Sequence, residues 1–227
     1  MALLTAKLHI PLLALLMLGA LLGLYGPAPE KGGENPHVAG AEAVLLINGQ
    51  PRLAERRYNE VAYATTHNAN ASAAHEYFFP NQMSNMRQQL DDGIRALMID
   101  LHQADGEVMF CHGDCRLGKQ SIGSGLGEIA GFLDAHPNEV VTLLLETYQI
   151  PAKTLARAFA ESGLLKHAYA HTPDTPWPTL REMVHTGQRL VVFTDRDNDG
   201  YPWLHPMWDS LWDTPWNVSR IEDFSCM

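Results

Sequence analysis

Val140-Val141-Thr142-Leu143-Leu144-Leu145 decides the fold. The run is apolar on both faces, so neither side of the strand it predicts can meet water. A parallel sheet covered by helices, or closed into a barrel, meets that demand. Working outward, Pro137 stops a helix predicted over Gly127 to Ala135, and Pro151 opens another over Ala152 to Glu161, closed by Gly163. The alternation continues in both directions. Strands are predicted at Glu60 to Ala64, Ala96 to Leu101, Val108 to Cys111 and Leu190 to Thr194. Further helices are predicted at Met83 to Asp91, ended by Gly93, and at Thr179 to Thr186, opened by Pro178 and closed by Gly187. Together they predict an α/β fold with a largely parallel sheet of the TIM-type (β/α) barrel kind. The roughly 190 residues from 41 to 227 fall short of the about 250 that a complete barrel takes, so the barrel is expected to be incomplete or irregular, or the chain truncated.

Before this body lies a segment of another kind. After Lys7 no Asp, Glu, Lys or Arg appears until Glu30, and Ile10 to Tyr25 is almost wholly apolar. Residues 1–26 are therefore expected to be a secretory signal peptide or an uncleaved signal anchor, which makes the body secreted or membrane-anchored and extracytoplasmic. Gly26 and Ala28 have the size and spacing of a cut site, but Pro29 follows them. Residues 27–40, with Gly32, Gly33 and Pro36, read as a flexible linker, and 41–227 as the folded domain. An exported chain allows disulfides. Of the three cysteines, Cys111 and Cys115 are the closer couple and Gly113 supplies a turn between them, but the sequence leaves open that bridge, a bridge to Cys226, and free thiols. The net charge of -10 excludes a basic phosphate-tracking face, so no nucleic acid is expected as a partner.

The chemistry-bearing residues gather at the C-terminal ends of the predicted strands, where the loops of α/β barrels converge on one pocket. The strands run into Thr65-Thr66-His67-Asn68, Asp100-Leu101-His102, Cys111-His112-Gly113, Glu146-Thr147 and Asp195-Arg196-Asp197.

The sequence Tyr63-Ala64-Thr65-Thr66-His67-Asn68-Ala69, then Gly93-Ile94-Arg95-Ala96-Leu97-Met98-Ile99-Asp100, then Val108-Met109-Phe110-Cys111-His112-Gly113 resembles the X region of phosphatidylinositol-specific phospholipases C in order and spacing. Trp177-Pro178-Thr179-Leu180 and Gln188 to Thr194 resemble the exported branch with a lone X-type domain. The resemblance covers Tyr58 to Cys226. It implies a phospholipase C-like phosphodiesterase acting on a phosphatidylinositol-type or related phosphodiester at a membrane surface, with His67 as base and His112 as acid. Two imidazoles suit these tasks near neutral pH. It also implies a divalent cation, Ca2+ being the hard ion that oxygen ligands favour, held by Asn68, Asp100 and Glu146, unless these residues instead position the histidines. A fourth ligand position falls on Met98, a poor partner for calcium, and no Arg stands at the end of strand two as in calcium-independent members. Arg95 or His102 is expected to add positive charge against the phosphate, with His102 alternatively an extra ligand of the cation.

Two rivals are weighed against this reading. Glycerophosphodiester phosphodiesterases and sphingomyelinase D-like enzymes share the barrel but place a Glu where Met98 stands. A catalytically inactive binding domain would keep the fold without the rate. Trp203, Trp208, Trp212 and Trp216 read as packing of a long loop, or as anchors at a bilayer interface. Asp195 to Gly200 has the composition of a calcium loop without its terminal Glu and reads as a solvated turn.

Overall fold

The longest strand of the sheet, β2 (Ala96–Ala104), shares its two edges among three partners. The computed structural model describes residues 44–213 and 218–224; the expected signal segment 1–26, the linker 27–40, Trp216 and Cys226 lie outside the described residues. On one edge β2 pairs in parallel with β5 (Val141–Glu146), in the register Ala96↔Thr142 to Asp100↔Glu146. On its other edge the start of β2 pairs in parallel with β1 (Thr65–Thr66), and its far end pairs antiparallel with β3 (Glu107–Phe110). β3 in turn pairs with the short β4 (Gln120–Ser121). Beyond β5 the sheet continues in parallel through β6 (Leu190–Thr194) and β7 (Leu204–Pro206). The parallel strands thus follow β1-β2-β5-β6-β7, neighbours in chain order as in a (β/α) barrel, and the β2–β3 hairpin makes the sheet mixed.

Two of the expected strands are corrected. Glu60 to Ala64 forms no strand: Tyr58–Glu60 is a single 3-10 turn in which the Glu60 side chain accepts from the Arg57 backbone N–H at 3.1 Å, and pairing begins only at Thr65. Val108 to Cys111 is a strand, but antiparallel rather than one of the parallel set. Asp105 and Gly106 both hold positive φ, +54 and +83°, and these two residues alone join β2 to β3. An Asp-Gly pair with both φ positive is the turn whose twist matches a hairpin.

The helices follow the expected pattern with shifted starts. α1 is Met86–Asp91, its N-cap Asn85 accepting from the Gln88 N–H. α2, Ile122–Ala135, begins five residues before the expected Gly127 because Ser121 caps it and the glycines at 123 and 125 are tolerated within its first turns. α3 is Ala152–Glu161, and α4 is Leu180–Thr186 behind a Thr179/Glu182 capping box. The two faces of the sheet bury separate clusters. Leu97, Ile99, Val141, Leu143, Leu145 and Val192 pack with α1, α2 and α3, while Val191 and Phe193 pack with Tyr58 and with Leu180 and Met183 of α4. This is the two-sided burial that the continuous apolar run demands.

α2 meets β3 across Gly125, where an added Cβ would lie 2.1 Å from the ring of the fully buried Phe110. Gly125→Ala is expected to destabilise the fold by about 1–3 kcal/mol, read from the urea midpoint.

Candidate active site

Every strand-end segment that reaches the rim is fixed by identifiable bonds. β1 is only two residues long, yet its continuation is clamped from several sides. Thr66 Oγ1 donates to Gln89 of α1 at 2.7 Å, and Gln89 Nε2 donates to the Ala69 carbonyl at 2.9 Å. The Ala69 N–H donates to the Met98 carbonyl of β2 at 2.8 Å, and Asn70 Oδ1 accepts from the Asp100 N–H at 3.2 Å. Gln82 Nε2 holds the His67 carbonyl at 2.7 Å. The chain turns at Asn68, which adopts φ +51°, a left-handed conformation that Asn tolerates better than most residues. His67 is exposed here, and the side chain of Asn68 is buried beside it.

The hairpin explains how His112 reaches the same rim. Leu101 pairs with Phe110, so β3 runs back down from the tip of β2 and delivers the following residues to the level where β1 ends. Tyr77 Oη donates to the Phe110 carbonyl at 2.6 Å, and Cys111 and Cys115 form a disulfide on either side of the histidine. His112 is exposed, and its Nε2 lies 3.1 Å from Asn68 Nδ2. An amide N–H can only donate, so this contact sets Nε2 as the acceptor and leaves the ring proton on Nδ1 in the neutral form.

Asp100 and Glu146 are side by side because β2 and β5 run in parallel register. Asp100 is 1% exposed, and its Oδ2 has no hydrogen-bond donor among the described residues. Burial first, and then the nearby Glu146 carboxyl, push the Asp100 pKa up to about 8. Glu146 accepts from Tyr148 Oη at 3.1 Å, and the Tyr148 ring stacks on His102 with centroids 4.1 Å apart. Burial, reinforced by His112 and opposed by Glu146, lowers the His102 pKa, and His102 Nε2 is buried without a partner. Burial thus disfavours the cationic form expected of His102.

Arg95 is not at this rim. It precedes the first residue of β2, five residues before Asp100, and its guanidinium is committed to Glu139 at 2.7 Å and to the Leu90 and Ile94 carbonyls. The expected contribution of Arg95 to phosphate binding is thereby corrected: the strand's direction carries it away from the site. Asp195, at the end of β6, is likewise structural, accepting from both the N–H and the hydroxyl of Thr147. Residues 195–200 form a turn in which Asn198 accepts from the Gly200 N–H. Trp203 is buried against Phe159, whereas Trp208 and Trp212 are exposed.

Sequence reading missed the residues that hold the site together: Asn70, Tyr77, Gln82, Gln89 and Tyr148. The one available signal was the polar Gln89 on a helix that buries its neighbours Met86 and Leu90.

Beside His112 opens a cavity of about 630 Å3 lined by Tyr77, Phe78, Phe79, Asn81 and Leu117. Phe78 and Phe79 are each about 70% exposed, as is Met83 nearby in sequence at 79%. Among the described residues no three His, Cys, Asp or Glu side chains converge as a metal cluster, and no helix is long and apolar enough to cross a membrane.

A carboxyl whose pKa is raised on folding makes the folded state bind more protons than the unfolded chain between the two values. Stability therefore falls as pH rises through that window. For the cation-free protein, the melting temperature is expected to decline between about pH 4 and pH 8, and Asp100→Asn to flatten that decline when melting is followed by circular dichroism at several pH values.

A family model described as PI-PLC X, PI-PLC X 1, matches residues 53–227. The chain is 35% identical over 184 residues to a PI-PLC X domain-containing protein 1 of Arthroderma benhamiae, a match covering 77% of this chain and 60% of that protein. It is 30% identical over 189 residues to a protein of the same organism described as an uncharacterized secreted protein, covering 79% of this chain and 42% of that one. It thus spans about half the length of these relatives. The phosphatidylinositol-specific phospholipase C from Listeria monocytogenes aligns at 17% identity and a TM-score of 0.48, over 64% of this chain and 54% of that one. The motifs at His67, Asp100 and His112 fall inside the matched region, and the chain belongs to the PI-PLC X family.

Proposed function

We propose that this protein is an exported phosphodiesterase that cleaves a phosphatidylinositol-type or related phosphodiester by phospholipase C chemistry. The observation that carries the reading is the contact between Asn68 and His112 Nε2, which brings the segment bearing His67 and the loop bearing His112 to one rim beside Asp100 and Glu146. In this reading His67 removes the proton from the attacking hydroxyl, its oxygen bonds to phosphorus, and the bond from phosphorus to the leaving oxygen breaks. His112 gives its proton to that departing oxygen. Asn68 Nδ2 donates to Nε2 of the neutral His112 ring that remains once the proton has left. The His102 ring, stacked on Tyr148 beside Glu146, forms part of the wall of the site.

The paired carboxylates suit a divalent cation, with calcium the ion their oxygens favour. Asp100 has a buried oxygen without a donor and a second carboxyl beside it, a crowding of negative charge that either a proton or a cation relieves. Asn68, Asp100 and Glu146 would hold the ion, which when bound supplies positive charge against the phosphate oxygens. The disulfide, and the relative described as secreted, support export. Exposed Phe78 and Phe79, which line the His112 cavity, suit approach to a lipid surface.

Incubation of the folded protein with phosphatidylinositol vesicles and with glycerophosphodiesters, with calcium or with a chelator, tests this. Phosphatidylinositol turnover that the chelator suppresses is expected. His67→Ala or His112→Ala should each lower kcat by roughly 100- to 10,000-fold. Both residues are exposed, so their melting temperatures should stay near that of the parent. No turnover of any of these substrates by folded protein would defeat the reading.

A further inference from the structure

We propose that the Cys111–Cys115 disulfide is the positioning element for His112, so that opening it slows the reaction without unfolding the protein. The proposal rests on the assignment of His112 as the acid, but its first readout does not.

The bridge closes a ring of five residues, Cys111-His112-Gly113-Asp114-Cys115, with Cα atoms of the two cysteines 5.1 Å apart. Its two ends are anchored differently. Cys111 is fully buried and follows Phe110, whose carbonyl is tied to Tyr77. Cys115 begins the 3-10 turn Cys115–Leu117, capped by Asp114, and Leu117 accepts from the Phe78 N–H at 2.7 Å. Between these anchors the chain turns at Gly113, φ +67°, and carries an exposed imidazole.

Cross-links constrain the unfolded chain more the longer the loop they close, and this loop is near the shortest possible. The bridge therefore contributes less to global stability than a long-range cross-link would, and it acts most directly where it stands, on the segment that carries His112. An imidazole at the tip of an untethered, solvent-facing loop would sample many orientations, only some of which keep Nε2 on Asn68. Cys115 is half-buried, which leaves its sulfur open to attack by a thiolate. A dithiol reductant would supply two electrons and two protons, becoming a cyclic disulfide while Cys111 and Cys115 become thiols.

The test is the histidine ring spectrum by NMR, recorded before and after dithiothreitol and again for Cys115→Ser, with thiol formation confirmed by mass. The His112 resonances are expected to shift or broaden. Those of His75 and His167, bonded to Glu128 and Asp134, should stay in place. On phosphatidylinositol vesicles, reduction should lower kcat by about tenfold with KM held within about twofold, and reoxidation should restore the rate. Unchanged His112 resonances in the reduced protein would overturn the proposal. So would joint collapse of all the histidine signals, which would make the bridge a global staple. If the protein turns over no phosphodiester at all, the functional reading fails while the His112 spectrum still decides whether the bridge positions the ring.

Discussion

The parallel register between β2 and β5 is the constraint on which the site depends. It sets Asp100, midway along β2, directly beside Glu146 at the end of β5, in strands whose apolar residues are sealed on both faces. Slipping either strand by one residue would turn its core side chains to the opposite face and break the pairing of Asp100 with Glu146. Two carboxyls are thereby forced together in a place where burial already disfavours charge. Such a pair is unfavourable in isolation, and a fold that keeps it carries a standing demand for a proton or a cation at that point.

The two histidines are delivered to this rim by unlike means. His67 follows a strand of only two residues, so its position comes from side-chain clamps: Gln89 of α1, Gln82, and the bond from Ala69 to Met98. His112 comes back along an antiparallel hairpin whose register with β2 fixes its height and whose disulfide fixes its loop. The buried amide of Asn68 joins the two arrangements. A polar group buried at such a junction has few alternative partners, which is why it can orient an exposed ring.

Much of this was legible in the sequence, and the parts that were not share a cause. The run at Val140 to Leu145, and the proline and glycine punctuation around α3 and α4, are local signals strong enough to fix element type. The strands carrying Asp100 and Glu146 were legible because chemistry-bearing residues followed apolar runs. What failed depended on partners far away in the chain. Nothing within Glu60 to Ala64 shows that Glu60 will fold back on Arg57, and Arg95 looks available until Glu139, forty-four residues later, is seen to hold it. The direction of β3 was in reach: Asp105-Gly106 is a hairpin signal, and reading 96–101 and 108–111 as members of one parallel set passed over it. The charge state of His102 was beyond sequence, since it follows from burial, His112 and Glu146 together.

The central claim is that His67 and His112 address one phosphate. Titrating the protein with an inositol phosphate while following the histidine rings by NMR tests it most directly. The account predicts that the His67 and His112 signals move together along one saturating curve, while His136 and His167, bonded to Phe132 and Asp134, remain still. Movement of only one of the pair, or of neither at saturating ligand, would contradict it.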